Sequence, residues 1–302
     1  MEFSDEGFIP YKGYKVWYGI IGDGEETGKH PILCLHGGPG ASHDYLTPLS
    51  ELSKQGRRVV FYDQLGSGRS DHLDKPDMWT IELYVKEVDV LREALDLQKV
   101  HIYGQSWGGQ LALEYAITNP VGLQSLVLAD SLADMQQWIS EADRLRSELP
   151  QETQEIMARH EAQGTTRDPE YEGASMEFYR RHICRLKDWP EPLNRSFEML
   201  EKYPQVYETM WGPNEFSVTG TLRNWSFIER LKDIEVPTLI LSGKYDESTP
   251  LINETMNRGI KGSEWVLFEN SAHMPHLEET ERLLIVVNDF IDKVDGVMHN
   301  HT

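Results

Sequence analysis

The apolar residues of this chain follow two rhythms. Short unbroken runs such as Ile32-Leu33-Cys34-Leu35 alternate with longer stretches of helical spacing. The first pattern predicts strands buried on both faces, the second amphipathic helices. Residues 31–35 read as a strand, 45–55 as a helix and 58–62 as a strand. Residues 80–97 read as a helix with Ile81, Tyr84, Val88, Leu91 and Leu95 on one face. Strands at 100–103 and 123–128 flank another helical stretch that begins after Ser106. Residues 15–21 add an antiparallel edge. Strands separated by helices imply right-handed crossovers and a mostly parallel sheet with helices on both faces.

The rhythm breaks after Asp130. Residues 131–228 hold helical, charged and aromatic segments but no buried strand pattern, and four of the eight tryptophans (Trp138, Trp189, Trp211, Trp225) fall there. This stretch reads as a helical cap inserted into an α/β core made of residues 1–130 and 229–302. The core resumes with a strand at 236–243, a helix at 251–260, a strand at 264–268 and a final helix at 277–294. The tail, residues 295–302, reads as frayed.

Composition narrows the function. With 302 residues and 39% hydrophobic content, the chain can bury one large core plus the insertion. A net charge of −21 argues against nucleic acid and anionic membranes as partners, and favours cationic small molecules. The two cysteines exclude a disulfide framework, and Cys34 reads as a small buried hydrophobe. No apolar run approaches the ~20 residues of a membrane span, and the acidic start is unlike a signal peptide. These features predict a cytoplasmic protein.

Gly104-Gln105-Ser106-Trp107-Gly108 lies where a buried strand gives way to a helix. A serine in this setting stands on a tight elbow, with its hydroxyl above the sheet and a helix N-terminus behind it. A serine nucleophile needs a base, and the base needs an orienting carboxylate. In this topology they follow in the order acid, then histidine, each after a later strand. Asp246 follows the strand at 236–243, and His273 follows the strand at 264–268. Ser106 is thus the expected nucleophile, His273 the base and Asp246 its partner. The oxyanion donors are expected from Gly38, with Gly37 as the alternative, and from the Trp107 amide. His36, Asp63 and Arg69 read as structural. No zinc-binding spacing is present, so neither metal nor cofactor is expected.

These motifs carry a family resemblance. His36-Gly37-Gly38-Pro39-Gly40, the Asp63-to-Ser70 loop, Gly104-Gln105-Ser106-Trp107-Gly108-Gly109, Asp246 and His273 together resemble the proline iminopeptidase branch of the α/β-hydrolase fold. The similarity runs from about residue 10 to 292. The segment Asn214-Glu215-Phe216 is also similar to the tricorn-interacting aminopeptidase subgroup. The resemblance implies serine-dependent release of an N-terminal residue, proline or another small apolar one, from small peptides or amino-acid amides. It also implies that Glu215 and Glu247 bind the substrate ammonium. Trp107 and cap aromatics are expected to contact an apolar substrate ring. An amidase, esterase or lactonase would share the same triad, and a non-catalytic hydrolase-fold binding protein would be expected to lack part of it.

Overall fold

A computed structural model describes residues 2–297. The chain opens with two strands, β1 (Asp5–Tyr11) and β2 (Tyr14–Ile21), followed by β3 (Ile32–Leu35) and β4 (Val59–Tyr62). Next come α1 (Ile81–Ala94), β5 (Val100–Gln105), α2 (Trp107–Ala116) and β6 (Leu123–Ala129). Helices α3 (Met135–Ser147), α4 (Gln151–Gln163), α5 (Pro169–His182), α6 (Glu191–Lys202) and α7 (Gln205–Met210) separate β6 from β7 (Thr238–Gly243). The chain closes with α8 (Pro250–Gly259), β8 (Glu264–Phe268), α9 (Pro275–Glu278) and α10 (Thr280–Asp295).

The eight strands form one sheet in the order β1-β2-β4-β3-β5-β6-β7-β8. The β1–β2 and β2–β4 pairs are antiparallel and the rest parallel. Strand residues alternate between two cores. Leu33, Leu35, Ile102, Leu126 and Ile240 face one side with α1, α2 and α8; Ile32, Cys34, Tyr103, Val127 and Leu239 face the other with α10. The chain leaves β3 for β4 on one side and reaches β5 on the other. This topological switch point opens a crevice at the carboxyl ends of the parallel strands.

Four elements differ from the sequence expectation. β2 is not the edge, because β1 pairs outside it. The acidic start and Pro10 mask β1 as a strand, and an edge strand tolerates that proline. Residues 43–55 wind as tight 3₁₀ turns around Pro48, which supplies no N–H. The last helix is broken at Glu279, where the backbone leaves helical geometry between α9 and α10. Asp295 is not frayed: its carboxylate is buried and bonds His30 (2.6 Å), His101 (2.9 Å) and Arg57 (2.9 Å). The rest of the expected frayed tail, residues 298–302, lies outside the described residues.

Candidate active site

Ser106 sits at the elbow between β5 and α2 with φ +55° and ψ −122°. A non-glycine residue there is strained, and the surrounding packing holds it. The packing leaves no room for side chains beside it. A Cβ on Gly104 would lie 2.3 Å from the Gly108 carbonyl, and one on Gly108 would lie 2.1 Å from the Leu35 carbonyl. Ser106 N–H donates to Ala129 O (2.9 Å), and Ser131 Oγ donates to Ser106 O (2.8 Å). The elbow is therefore tied to the end of β6.

His273 and Asp246 reach the same crevice from the ends of β8 and β7. His273 Nδ1 is 2.6 Å from Asp246 Oδ1, which also accepts from Ser248 N–H (2.8 Å). Glu278 accepts from the amides on both sides of His273, Ala272 (2.8 Å) and Met274 (3.3 Å). Burial lowers the pKa of His273, but the charge of Asp246 and its hydrogen bond outweigh this, and the net shift is upward. Behind the acid stands Asp130, whose buried carboxyl accepts from Gly243 N–H (3.2 Å). Burial and the charge of Asp246 raise its pKa well above the ordinary carboxylate value.

The His36–Gly40 loop follows β3 across the crevice. His36 Nε2 accepts from Gln64 N–H (3.0 Å), while Nδ1 lies 2.9 Å from Gly37 O. Burial lowers its pKa, which keeps the ring neutral and suited to both bonds. Asp63 accepts from the backbone N–H groups of His43 (2.7 Å) and Arg69 (2.8 Å). Although burial opposes it, pairing with His43 draws its pKa down to about 2. His36 braces its own loop against Gln64, and Asp63 ties the start of the 63–70 loop to His43.

Gly38, Tyr45, Ser106 and His273 line one pocket together with Glu215, Glu247 and a largely apolar wall. That wall includes Ile183, Leu193, Phe197, Leu200 and Met274. Three of these, Leu193, Phe197 and Leu200, come from α6, so the insertion roofs the crevice. Glu247 is buried, and neither carboxylate oxygen has a hydrogen-bond partner among the described residues. Glu215 accepts from Tyr207 Oη (2.8 Å), and its backbone carbonyl accepts from the indoles of Trp138 (3.1 Å) and Trp211 (3.3 Å). Burial raises the pKa of both glutamates, and the charges of Glu215 and Asp246 raise Glu247 further. Both carboxyl groups line the pocket that holds Ser106 and His273.

A family model described as the alpha/beta hydrolase fold matches residues 30–280. A proline iminopeptidase from Lactobacillus helveticus (strain DPC 4571) is 42% identical over 294 residues, covering 96% of this chain and 98% of its own. The chain belongs to the proline iminopeptidase family. Two solved structures agree with it closely. The crystal structure of VinJ has a TM-score of 0.94 and 42% identity, covering 97% of this chain and 100% of that one. A proline iminopeptidase from Mycobacterium smegmatis has a TM-score of 0.90 and 39% identity, covering 96% and 99%.

Within this proline iminopeptidase fold, Gly38, Ser106, Glu215, Glu247 and His273 line one pocket, Asp246 stands behind His273, and Trp107 departs from expectation. The Trp107 side chain does not face the substrate space. It is fully buried against Tyr84, and its indole donates to Gln64 Oε1 (2.8 Å). A residue at the first position of a helix off an elbow points its side chain back into the sheet, while its amide stays among the unpaired N–H groups of the helix start. Among the aromatic side chains of the insertion, Phe197 lines this pocket. Sequence reasoning missed Tyr45, Gln105, Asp130 and Glu278. Asp130 closes β6 at a strand end, a signal that was present; the other three act through contacts no motif encodes. Among the described residues no helix is long and apolar enough to cross a membrane.

Proposed function

We propose that this protein is a serine aminopeptidase that releases N-terminal proline, or another small apolar residue, from peptides. The observation that carries this reading is the pair Glu215, half-buried, and Glu247, buried, which line the pocket that also holds Ser106 and His273. An exopeptidase must recognise the charge on a free N-terminus. A desolvated carboxylate pair binds an ammonium and leaves an acylated amine unpaired. The prolyl ring lies against Phe197, Leu200 and their apolar neighbours, under a cap formed by residues 131–228.

His273 accepts the Ser106 proton as Oγ attacks the scissile carbonyl. Gly37 N–H is engaged by Tyr45 Oη at 2.7 Å, so Gly38 is the loop's oxyanion donor, with the Trp107 amide as the second. The imidazolium, oriented by Asp246, gives its proton to the departing peptide nitrogen. Water then attacks the acyl-enzyme through the same base and releases the amino acid. Cys34 and Cys184 are buried and unpaired, which supports work in the reducing cytoplasm.

A substrate panel tests the reading: prolyl, alanyl and leucyl arylamides, N-acetylprolyl arylamide and a prolyl ester. Hydrolysis of the free-amine prolyl arylamide with loss of activity on its N-acetyl form is expected. Equal turnover of both arylamides rules out an aminopeptidase, and turnover of the ester alone makes the protein an esterase.

A further inference from the structure

One chain of hydrogen bonds links all three loops around Ser106. Gly37 N–H donates to Tyr45 Oη (2.7 Å), and the Tyr45 hydroxyl donates to Gln105 Oε1 (2.6 Å). Gln105 Nε2 then donates to the backbone carbonyl of His273 (3.1 Å). The polarity of this chain is fixed by chemistry. Gly37 N–H can only donate, so the single tyrosine proton is free for Gln105. The His273 carbonyl can only accept, so it must face the glutamine NH₂. Flipping the Gln105 amide would set two carbonyl oxygens against each other. The three linked residues are Gly37, beside the oxyanion donor Gly38; Gln105, directly before the nucleophile; and the base itself.

We infer that Tyr45 and Gln105 are positioning residues that hold the oxyanion loop and the base loop at fixed spacing around Ser106. This rests on the acyl-transfer reading above. The contacts have no slack: a Cβ on Gly37 would lie 2.9 Å from both Tyr45 Oη and Gln105 Oε1, and 3.1 Å from Ser106 Cβ. The opposite side is also packed, with the neutral ring of His276 centred 5.5 Å from that of Tyr45. Neither residue carries a proton in the reaction. Their effect falls on the transition state, because oxyanion donors must meet an oxygen that has moved off its ground-state position.

Tyr45→Phe removes only the hydroxyl. Rates are measured per Ser106 titrated with a fluorophosphonate, on prolyl arylamide and on p-nitrophenyl acetate. We expect kcat to fall about 10- to 100-fold on both substrates, the scale of a misplacement near 1 Å. KM for the arylamide should stay within about twofold, and the acid limb of the pH profile should not move, because the chain touches the His273 backbone rather than its ring. Gln105→Ala should behave alike, and the double variant should be no worse than the poorer single one, as expected for one unit. Gln105→Ala carries the test if Tyr45→Phe does not fold. A smaller titratable fraction with unchanged kcat per site, or a change in KM alone, overturns the inference. A wild-type Ser106 that never labels overturns the acyl-transfer reading itself.

Discussion

Glu247 Oε1 lies 3.9 Å from His273 Nε2, the ring nitrogen that Asp246 leaves free. The base therefore stands between two carboxyl groups of different roles. Asp246 orients it from Nδ1, and Glu247 reaches the nitrogen that must take the Ser106 proton. On the proposed reading, a substrate ammonium held by Glu247 would lie at the edge of the reacting centre, so that a scissile bond one residue from the charged end would reach Ser106.

If the serine mechanism holds, Ser106→Ala should fold normally and lose up to ~10⁶ in kcat. Asp246→Asn keeps the shape but not the charge, and should lose about 10⁴. Steady-state turnover alongside thermal melting checks both. Retention of a tenth of wild-type activity by Ser106→Ala would eliminate the nucleophile.

The pH profile follows from the upward shift of His273. The base works only when neutral, so activity is lost as pH falls through its pKa, and the midpoint for kcat/KM should lie above about 6.5. Part of the shift comes from the field of Glu215. A bound ammonium cancels that field, so the acid limb of kcat should lie at lower pH than that of kcat/KM. Coincident limbs would separate Glu215 from the bound amine.

The strands, the nucleophile elbow and the order of Ser106, Asp246 and His273 were legible because each rests on local sequence. Apolar runs mark the strands, and the glycines record the close approach of Gly108 to Leu35. β1 was not legible, since an edge strand needs only one buried face and this one begins Asp5-Glu6-Gly7. The side-chain direction of Trp107 was not legible either, because it depends on how the elbow turns. Tyr45 and Gln105 lie 60 residues apart, and their bond exists only once β3 and β5 are paired. Glu87 was read past for a related reason. It lies between Leu83 and Leu91 on the buried face of α1, where its charged side chain hides it among apolar neighbours.

That residue sets a stability prediction. Burial raises the pKa of Glu87 from 4.5 to about 8, despite a hydrogen bond from Leu65 N–H that favours the ionised form. Below pH 4.5 both folded and unfolded chains hold the proton. Between 4.5 and about 8 only the folded chain holds it, so stability falls with each step in pH. Above that range both states are ionised and the cost is constant. Glu87→Gln stays neutral throughout. Its unfolding free energy from urea titration should match wild type near pH 4.5 and exceed it increasingly up to pH 8, by as much as a few kcal/mol at about 1.4 kcal/mol per pKa unit. A gap that does not grow with pH would mean that the folded chain gives up the Glu87 proton at its ordinary pKa.

The amine site yields the sharpest contrast. Glu215→Gln and Glu247→Gln each keep size and hydrogen-bonding capacity while removing one charge. A charge-assisted hydrogen bond contributes roughly 1.5–3 kcal/mol. At 1.4 kcal/mol per decade, kcat/KM for a prolyl arylamide should fall about 10- to 150-fold in either variant. Hydrolysis of p-nitrophenyl acetate, which has no amine, should barely change. The two glutamates should also differ from each other. Tyr207 donates to Glu215 and still finds an acceptor in glutamine, whereas neither carboxylate oxygen of Glu247 has a hydrogen-bond partner among the described residues. Binding of a free proline ligand should therefore release protons in the wild type, as Glu247 ionises against the incoming charge, and that release should vanish in Glu247→Gln. Calorimetry in buffers of different ionisation enthalpy reads it directly. Equal losses on amide and ester would point to a disturbed triad, and a full loss confined to one variant would assign the ammonium to that single carboxylate.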